Sequence, residues 1–238
     1  MRVFVGWDPA EDDAFRVCRS SILRHQPRAK VEPIVLQDLR DRGVYQRQHY
    51  RQGVQLFDHI TKQSFTTEFT FSRYLVPALA GWQGWALFCD CDFLFKADVE
   101  ALFDMADEDY AVMVVKQSHE PADTVKMLGQ AQSSYPRKNW ASLVLWNCGH
   151  SANREMVRRA NNWQKDYLHA FTWLEDKLIG ELPTGWNWIE GLTEGEPKAV
   201  HFTAGLPRMP GYENAAYAED WFEELARVEA KDGELRAT

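Results

Sequence analysis

Residues 85–95 read WALFCDCDFLF, an apolar run that is interrupted only by Asp90 and Asp92. A continuous apolar run of this length is typical of a strand that is buried on both faces in an α/β protein. Residues i and i+2 of a strand point to the same face, so we expect the two carboxylates to lie on one side. Carboxylates in an apolar setting are costly unless they are compensated, and Mg²⁺ or Mn²⁺ is a suitable compensating ion. The alternative is an Asp pair that only caps the turn after the strand.

The segments before this run predict a parallel sheet. Residues 2–6 (RVFVG) and 31–36 (VEPIVL) read as strands, and residues 11–24 have the apolar spacing of a helix. A strand, a helix and a second strand form a βαβ unit, whose strands run parallel. Ligands of such sheets bind outside the carboxyl ends of the strands, so Asp8 is expected on the same rim as the two acids. We therefore predict a three-layer α/β domain with a mainly parallel central sheet.

The remaining elements are predicted in outline from apolar periodicity. Further strands are expected at 110–115 and 141–147, and segments 183–188 and 198–202 bracket the end of the sheet. Helices are expected at 67–79, 97–105, 153–168, 173–179 and from 218 onward. Residues 38–54 and 117–139 are polar without a clear period and are interpreted as loops, the second over a cleft.

The composition limits the classes of protein to consider. The chain has 238 residues, of which 45% are apolar, so one large domain with a sizeable core is expected. Its net charge of −8 argues against a general nucleic-acid binder, which would carry a basic stripe. No window reaches the roughly 18 consecutive apolar residues of a membrane span, and the acidic start MRVFVGWDPAEDD is unlike a signal peptide. We expect a cytoplasmic protein whose cysteines, at 18, 89, 91 and 148, are buried free thiols rather than zinc ligands.

The segment near residue 200 offers a candidate third metal ligand. His201 follows Ala199 and Val200 at an expected strand end, where a neutral imidazole can coordinate a metal. A hydrogen-bonded structural histidine is the alternative. Gly205 and Arg208 follow in a loop, and this combination suits a diphosphate because arginine offers fixed, bidentate donors.

Other polar residues are candidates for the same site, and most have a plainer structural explanation. Arg73 is a candidate to pair with one Asp or to reach a phosphate, and a solvated surface arginine is the alternative. Asp8 is a candidate to bind a base or ribose, or else it forms an Asx turn. Glu175 and Asp176 are candidates to orient an acceptor or to face a reacting sugar carbon, or else they stabilise the first turn of a helix. Asn187 stands between two Trp residues and is a candidate to hydrogen-bond a sugar hydroxyl.

Five segments, taken in order, match one set of motifs. They are VFVGWD at 3–8, FSRYLVPAL at 71–79, LFCDCDFLF at 87–95, WLEDKLIGELPTGWNW at 173–188 and VHFTAGLPR at 200–208. This set resembles the GT-A glycosyltransferases, and it is most similar to family 8, which includes lipopolysaccharide galactosyl- and glucosyltransferases and glycogenin. The resemblance implies the GT-A fold and transfer of a sugar from a nucleotide-sugar donor.

The resemblance also implies roles for individual residues. Asp90 would contact the cation and the donor ribose, and Asp92 and His201 would complete the protein ligands of Mn²⁺ or Mg²⁺. Asp8 would lie near the base, and Arg73 and Arg208 near the diphosphate. The implied partners are a nucleotide-diphosphate sugar, with a UDP-sugar expected, and a glycan or other hydroxyl acceptor.

Three positions depart from the family pattern. Trp140 stands where the family's FNAG segment has an Asn at the sugar, the DQD element reads EDK at 175–177, and Arg208 replaces a Lys. These changes leave the donor sugar and the stereochemical outcome open. In a retaining reaction the leaving phosphate would act as base, whereas an inverting reaction would use Glu175 or Asp176.

The sequence therefore predicts a metal-dependent glycosyltransferase in a single domain over 1–238. Residues 1–115 would form the nucleotide and metal half, 116–212 the acceptor and donor-sugar half, and 213–238 a C-terminal helix and tail. A phosphohydrolase of the haloacid-dehalogenase type also ends an apolar strand in D-x-D and is one alternative, although that motif normally opens the chain. A non-catalytic carbohydrate-binding relative is the other alternative.

Overall fold

A computed structural model describes residues 1–53, 55–117 and 137–236. Within these ranges the strands are β1 (Arg2–Gly6), β2 (Lys30–Ile34), β3 (His49–Gln52), β4 (Gln55–Asp58), β5 (Ser64–Phe65), β6 (Trp85–Cys89), β7 (Phe93–Phe95), β8 (Val112–Val114), β9 (Leu143–Asn147), β10 (Ile179–Glu181) and β11 (Ala199–His201). The α-helices are α1 (Asp12–His25), α2 (Leu36–Asp41), α3 (Phe69–Ser72), α4 (Val76–Leu79), α5 (Glu100–Phe103), α6 (Met156–Asn162), α7 (Lys165–His169) and α8 (Ala218–Arg236). Most of the predicted loop at 117–139 lies outside the described residues.

The core is a six-stranded sheet in the order β10-β8-β9-β6-β1-β2. Strand β1 pairs in parallel with β2 and β6, and β10 pairs in parallel with β8, whereas β9 runs antiparallel to both of its neighbours. Five of these strands therefore point the same way, and their carboxyl ends share one edge of the sheet. The predicted α/β class with a mainly parallel sheet is confirmed.

The central strands are apolar because helices and loops cover both faces of the sheet. Residues 86–89 of β6 are at most 1% exposed, and all five residues of β9 are buried. Helix α1 packs against the sheet with an apolar stripe of Ala14, Val17, Cys18 and Ile22. The four cysteines are free and buried, as expected.

Helix α8 is joined to α1 through a buried carboxylate. The Glu224 side chain is 1% exposed and accepts hydrogen bonds from Ser20 Oγ at 2.6 Å and Arg24 Nε at 2.9 Å. A carboxylate that is buried in this way needs charged and polar partners, because its hydration has been removed. The charged C-terminal segment is therefore a packed layer of the structure. No helix in the described parts of the chain is both long and apolar enough to cross a membrane.

One error of secondary structure concerns the segment before β4. The polar segment 38–54, interpreted as a loop, contains most of α2 and all of β3, and β3 forms a small antiparallel sheet with β4 and β5. The segment is joined to β4 by a buried ion pair between Arg47 Nε and Asp58 Oδ1 at 2.7 Å, and the Arg47 guanidinium lies 3.8 Å above the ring of Phe71. These partners are distant in sequence, so no apolar period announces them.

The other error concerns residues 173–179, which were predicted to be a helix. Only Asp176–Leu178 forms a single 3-10 turn, and Ile179 then begins β10. The three residues of β10 pair with β8 at the edge of the sheet. Backbone hydrogen bonds to a neighbouring strand thus outweigh a short helical pattern.

Candidate functional site

Asp90 and Asp92 lie in the turn between two strands. The apolar run 85–95 is not one continuous strand, because β6 ends at Cys89 and β7 begins at Phe93. Asp90 N donates to the Ser142 carbonyl at 2.9 Å, which fixes the start of the turn. The two Asp side chains remain 13% and 12% exposed, whereas Cys91 between them is buried. Both carboxylates therefore face the carboxyl edge of the sheet.

His201 is brought to these carboxylates by a second, two-stranded sheet. Strand β11 pairs antiparallel with β7, and His201 lies opposite Phe93. The imidazole stacks on the Phe93 ring, with 4.3 Å between centroids, and its Nε2 lies 3.3 Å from Asp92 Oδ1. Ligand atoms of Asp90, Asp92 and His201 all lie within 4.8 Å of one another. The residues proposed as metal ligands from the sequence are thus assembled into one cluster.

Arg73 provides the positive charge closest to Asp90. Its Nη1 lies 2.9 Å from Asp90 Oδ1 and donates to the Ala141 carbonyl at 3.0 Å. Burial raises the pKa of Asp90, and the Arg73 guanidinium acts in the opposite direction by stabilising the carboxylate. Arg73 is 6% exposed, so it is not the solvated surface residue that was the alternative.

Glu11 is a further acidic group at this site that the sequence analysis missed. It is 7% exposed, and its Oε2 accepts a hydrogen bond from Cys91 Sγ at 3.1 Å. Burial, followed by the negative charge of Asp92, raises the pKa of Glu11 to about 7. Its place just after β1 is the only signal in the sequence, because its burial depends on the turn at residue 91.

Asp8 lies on the same rim and caps the first turn after β1. One carboxylate oxygen accepts from Ala10 N and the other from Glu68 N, each at 2.9 Å. The side chain is therefore used as a local cap, which was the structural alternative for this residue. A contact with a base or ribose stays a prediction.

The loop after β11 returns to the start of α1. Arg208 forms an ion pair with Asp13 and donates to the Ala10 carbonyl at 3.2 Å. Gly205 is required by packing, because a Cβ there would lie 2.5 Å from the ring of Tyr212. Arg208 is thus placed beside the amino-terminal end of α1, on the rim that carries Asp90, Asp92 and His201.

Asn187 is fully buried behind His201. Its Nδ2 donates to the Asn139 carbonyl at 3.0 Å, and its Oδ1 lies 2.8 Å from His201 Nδ1. The residue is 0% exposed, and Trp186 beside it is equally buried. The structure therefore places Asn187 in contact with the cluster, but behind it rather than on an open surface.

Glu175 and Asp176 are not brought to the cluster. They precede β10, whereas Asp90 follows β6, and these strands point the same way. Their side chains are 73% and 87% exposed and form ion pairs with Lys177 and Arg137. The two candidate catalytic acids are therefore exposed residues that come before a strand of the sheet, and neither belongs to the cluster of Asp90, Asp92 and His201.

Comparison with known proteins agrees with this architecture. No family model matches the chain. Protein CDI of Arabidopsis thaliana is 42% identical over 233 residues, which cover 94% of this chain and 85% of that protein. Membership of glycosyltransferase family 8 stays a prediction.

Several solved structures share the fold at low sequence identity. The glycosyltransferase GlyE of Streptococcus pneumoniae TIGR4 superposes with a TM-score of 0.59 at 14% identity, over 97% of this chain and 62% of that one. This chain thus spans less than two thirds of GlyE. The galactosyltransferase LgtC, solved in complex with donor and acceptor sugar analogs, superposes with a TM-score of 0.58 at 11% identity, over 95% of this chain and 96% of that one. The chain has the fold of GT-A glycosyltransferases, and it belongs to the family of Protein CDI.

Proposed function

We propose that this protein is a metal-dependent glycosyltransferase that moves a sugar from a nucleotide-diphosphate sugar, expected to be a UDP-sugar, to a hydroxyl acceptor. The observation that carries the proposal is the cluster of Asp90, Asp92 and His201 at the carboxyl edge of the parallel sheet. Ligands of such sheets bind at that edge. The fold is shared with glycosyltransferases, one of which was solved with donor and acceptor sugar analogs.

The chemistry of the side chains fits a divalent cation. Two carboxylates and one imidazole offer ligand atoms within 4.8 Å of one another, and two of these residues are still partly open to solvent. Carboxylate oxygens suit Mg²⁺ and Mn²⁺, and the added imidazole favours the softer Mn²⁺. Three protein ligands leave positions for phosphate oxygens. When bound, such an ion would supply Lewis-acid stabilisation of the leaving diphosphate.

The chain's own residues have distinct tasks in this proposal. Asp90, Asp92 and His201 would hold the cation, and the Arg73 guanidinium would orient Asp90 and favour its carboxylate form. Arg208, on the same rim, adds a bidentate cation that is suited to a phosphate group once Asp13 yields it. The positive charges act where negative charge develops in the transition state, which is where fixed electrostatic groups accelerate a reaction.

A thermal-shift titration with UDP and GDP, each with and without Mn²⁺, tests the proposal first. A ligand that binds only the folded state raises the melting temperature by mass action. We expect a shift with UDP that requires Mn²⁺ and that disappears in Asp92→Asn. A Mn²⁺-dependent shift with GDP alone would change the donor class. The absence of any shift in a folded protein would contradict the nucleotide-sugar proposal and favour a non-catalytic sugar binder.

Turnover is then measured as release of UDP from UDP-sugars, with and without simple sugar acceptors. Metal-dependent release that increases with an acceptor supports transfer. Release of inorganic phosphate from a simple phosphomonoester would instead support a phosphohydrolase.

A further inference from the structure

We infer that Asn187 is a positioning residue of the metal site, which holds His201 in the tautomer whose Nε2 faces Asp92. The inference rests on the proposed metal-dependent function. It assigns to Asn187 a role different from the sugar contact that was expected from the sequence, because the side chain is fully buried.

The contact itself is short and enclosed. Asn187 Oδ1 lies 2.8 Å from His201 Nδ1, and the two residues are 0% and 4% exposed. On the other side of the imidazole, Nε2 lies 3.3 Å from Asp92 Oδ1. The ring thus links a buried amide to the carboxylate cluster.

The orientation of the Asn187 amide follows from its second partner. Asn187 Nδ2 lies 3.0 Å from the carbonyl oxygen of Asn139, which can only accept a hydrogen bond. The amide nitrogen must therefore face Asn139, and the amide oxygen must face His201. Since that oxygen only accepts, His201 Nδ1 carries the proton, and the lone pair of a neutral ring is left on Nε2. That nitrogen is the one available to a cation beside Asp92.

Backbone contacts fix Asn187 and His201 relative to each other. Trp188 N donates to the Ala199 carbonyl at 3.0 Å, and His201 N donates to the Trp188 carbonyl at 2.8 Å. The side chain of Gln117 also donates to the Asn187 carbonyl. The Asn187 segment is therefore tied to β11, and neither residue can move without breaking several hydrogen bonds.

The His201 ring is restrained in two directions. Stacking on Phe93 fixes the plane of the ring, and the bond to Asn187 fixes its rotation within that plane. Histidines that bind metals usually donate their second ring nitrogen to an oxygen acceptor, and loss of that acceptor typically weakens metal binding. Asn187 supplies the acceptor here.

Mn²⁺ binding by isothermal titration, without any substrate, tests the role of Asn187. Asn187→Leu removes the acceptor, whereas Asn187→Asp keeps an acceptor oxygen; both variants lose the bond to Asn139. We expect Asn187→Leu to bind Mn²⁺ about 10- to 100-fold more weakly than the wild type. Asn187→Asp should recover most of that loss. Equal affinity in Asn187→Leu and the wild type, or equal weakening in both variants, would overturn the inference.

The tautomer of His201 is read independently from ¹⁵N chemical shifts in metal-free wild-type protein. We expect the proton on Nδ1, and a wild type with an unprotonated Nδ1 would overturn the inference even if Asn187→Leu does not fold. Failure of the wild type to bind Mn²⁺ or Mg²⁺ would instead contradict the proposed metal site. The two failures are therefore distinguishable.

Discussion

Asp90 and Asp92 follow strand β6, whereas Glu175 and Asp176 precede strand β10, and this difference separates two acidic pairs that look alike in sequence. Through β8 and β9, Ile179 of β10 is level with Ala86 of β6. Asp90 is four residues beyond that level, and Asp176 is three residues before it. Asp90 therefore lies beyond the carboxyl end of β6, whereas Asp176 comes before the first residue of β10.

Their surroundings differ as much as their positions. Asp90 and Asp92 are 13% and 12% exposed, and they lie beside the buried Arg73 and His201. Glu175 is 73% exposed and pairs with Lys177, which is 72% exposed. Exposed ion pairs contribute little, because water screens them. Sequence spacing identifies acidic residues, but the direction of the strand next to them decides whether they reach the ligand edge.

The largest expected effect is on turnover in Asp92→Asn. The substitution keeps the size of the side chain and removes one negative ligand, so we expect turnover to fall by about 10³-fold or more, since metal stabilisation is worth several kcal/mol. UDP release at saturating Mn²⁺ measures it. Wild-type turnover in this variant would remove the basis for treating the two acidic pairs differently.

The next effect is on stability when Arg73 is removed. Arg73→Ala leaves Asp90 as a nearly buried carboxylate without its closest cation, which typically costs about 3–5 kcal/mol. Urea unfolding in the presence of a chelator measures the loss, and Lys177→Ala is the control, with an expected cost below about 1 kcal/mol. Saturating Mn²⁺ should recover part of the loss in Arg73→Ala, because a cation at Asp90 replaces the missing charge. Similar losses in both variants would contradict this comparison.

A third prediction concerns pH, through Glu11. Its pKa of about 7 in the folded protein lies above the ordinary value of 4.5, so between these values the folded state keeps a proton that the unfolded chain has released. The stability contributed by Glu11 is therefore full below pH 4.5 and is lost as the pH rises to about 7, by up to about 3 kcal/mol.

Glu11→Gln cannot release this proton. It should be less sensitive than the wild type to a rise in pH from 4.5 to 7, and it should be the more stable protein at pH 8. Unfolding free energies of both proteins across this range, without metal, measure the effect. Parallel profiles for the two proteins would show that the Glu11 carboxyl is not strained by its burial.

The smallest effect is expected at the exposed acidic pair. The double variant Glu175→Gln/Asp176→Asn should keep its turnover within about twofold of the wild type, because surface substitutions away from a site change free energies by about 0.5 kcal/mol or less. UDP release in the same assay as for Asp92→Asn measures it. A fall of a hundredfold would support the catalytic role that the sequence predicted for these acids.

The sequence supports the site well where a motif lies on a strongly apolar strand. The run at 85–95 identified the two Asp residues and the sheet that carries them, because burial on both faces of a strand leaves a clear pattern. His201 was found from its place at a strand end. Glu11 was missed, since nothing near residue 11 in the sequence shows that the turn at residue 91 will cover it.

The sequence by itself determined the α/β class, the βαβ start, the D-x-D pair and the identity of the candidate metal ligands. These follow from local patterns of apolar and polar residues. Only the tertiary structure decided that Asn187 contacts His201, that Arg73 pairs with Asp90, and that Glu175 is exposed and pairs with Lys177. The physical reason is that strand pairing and direction bring together side chains from separate elements, such as Arg73 and Asp90, and no local pattern contains that information.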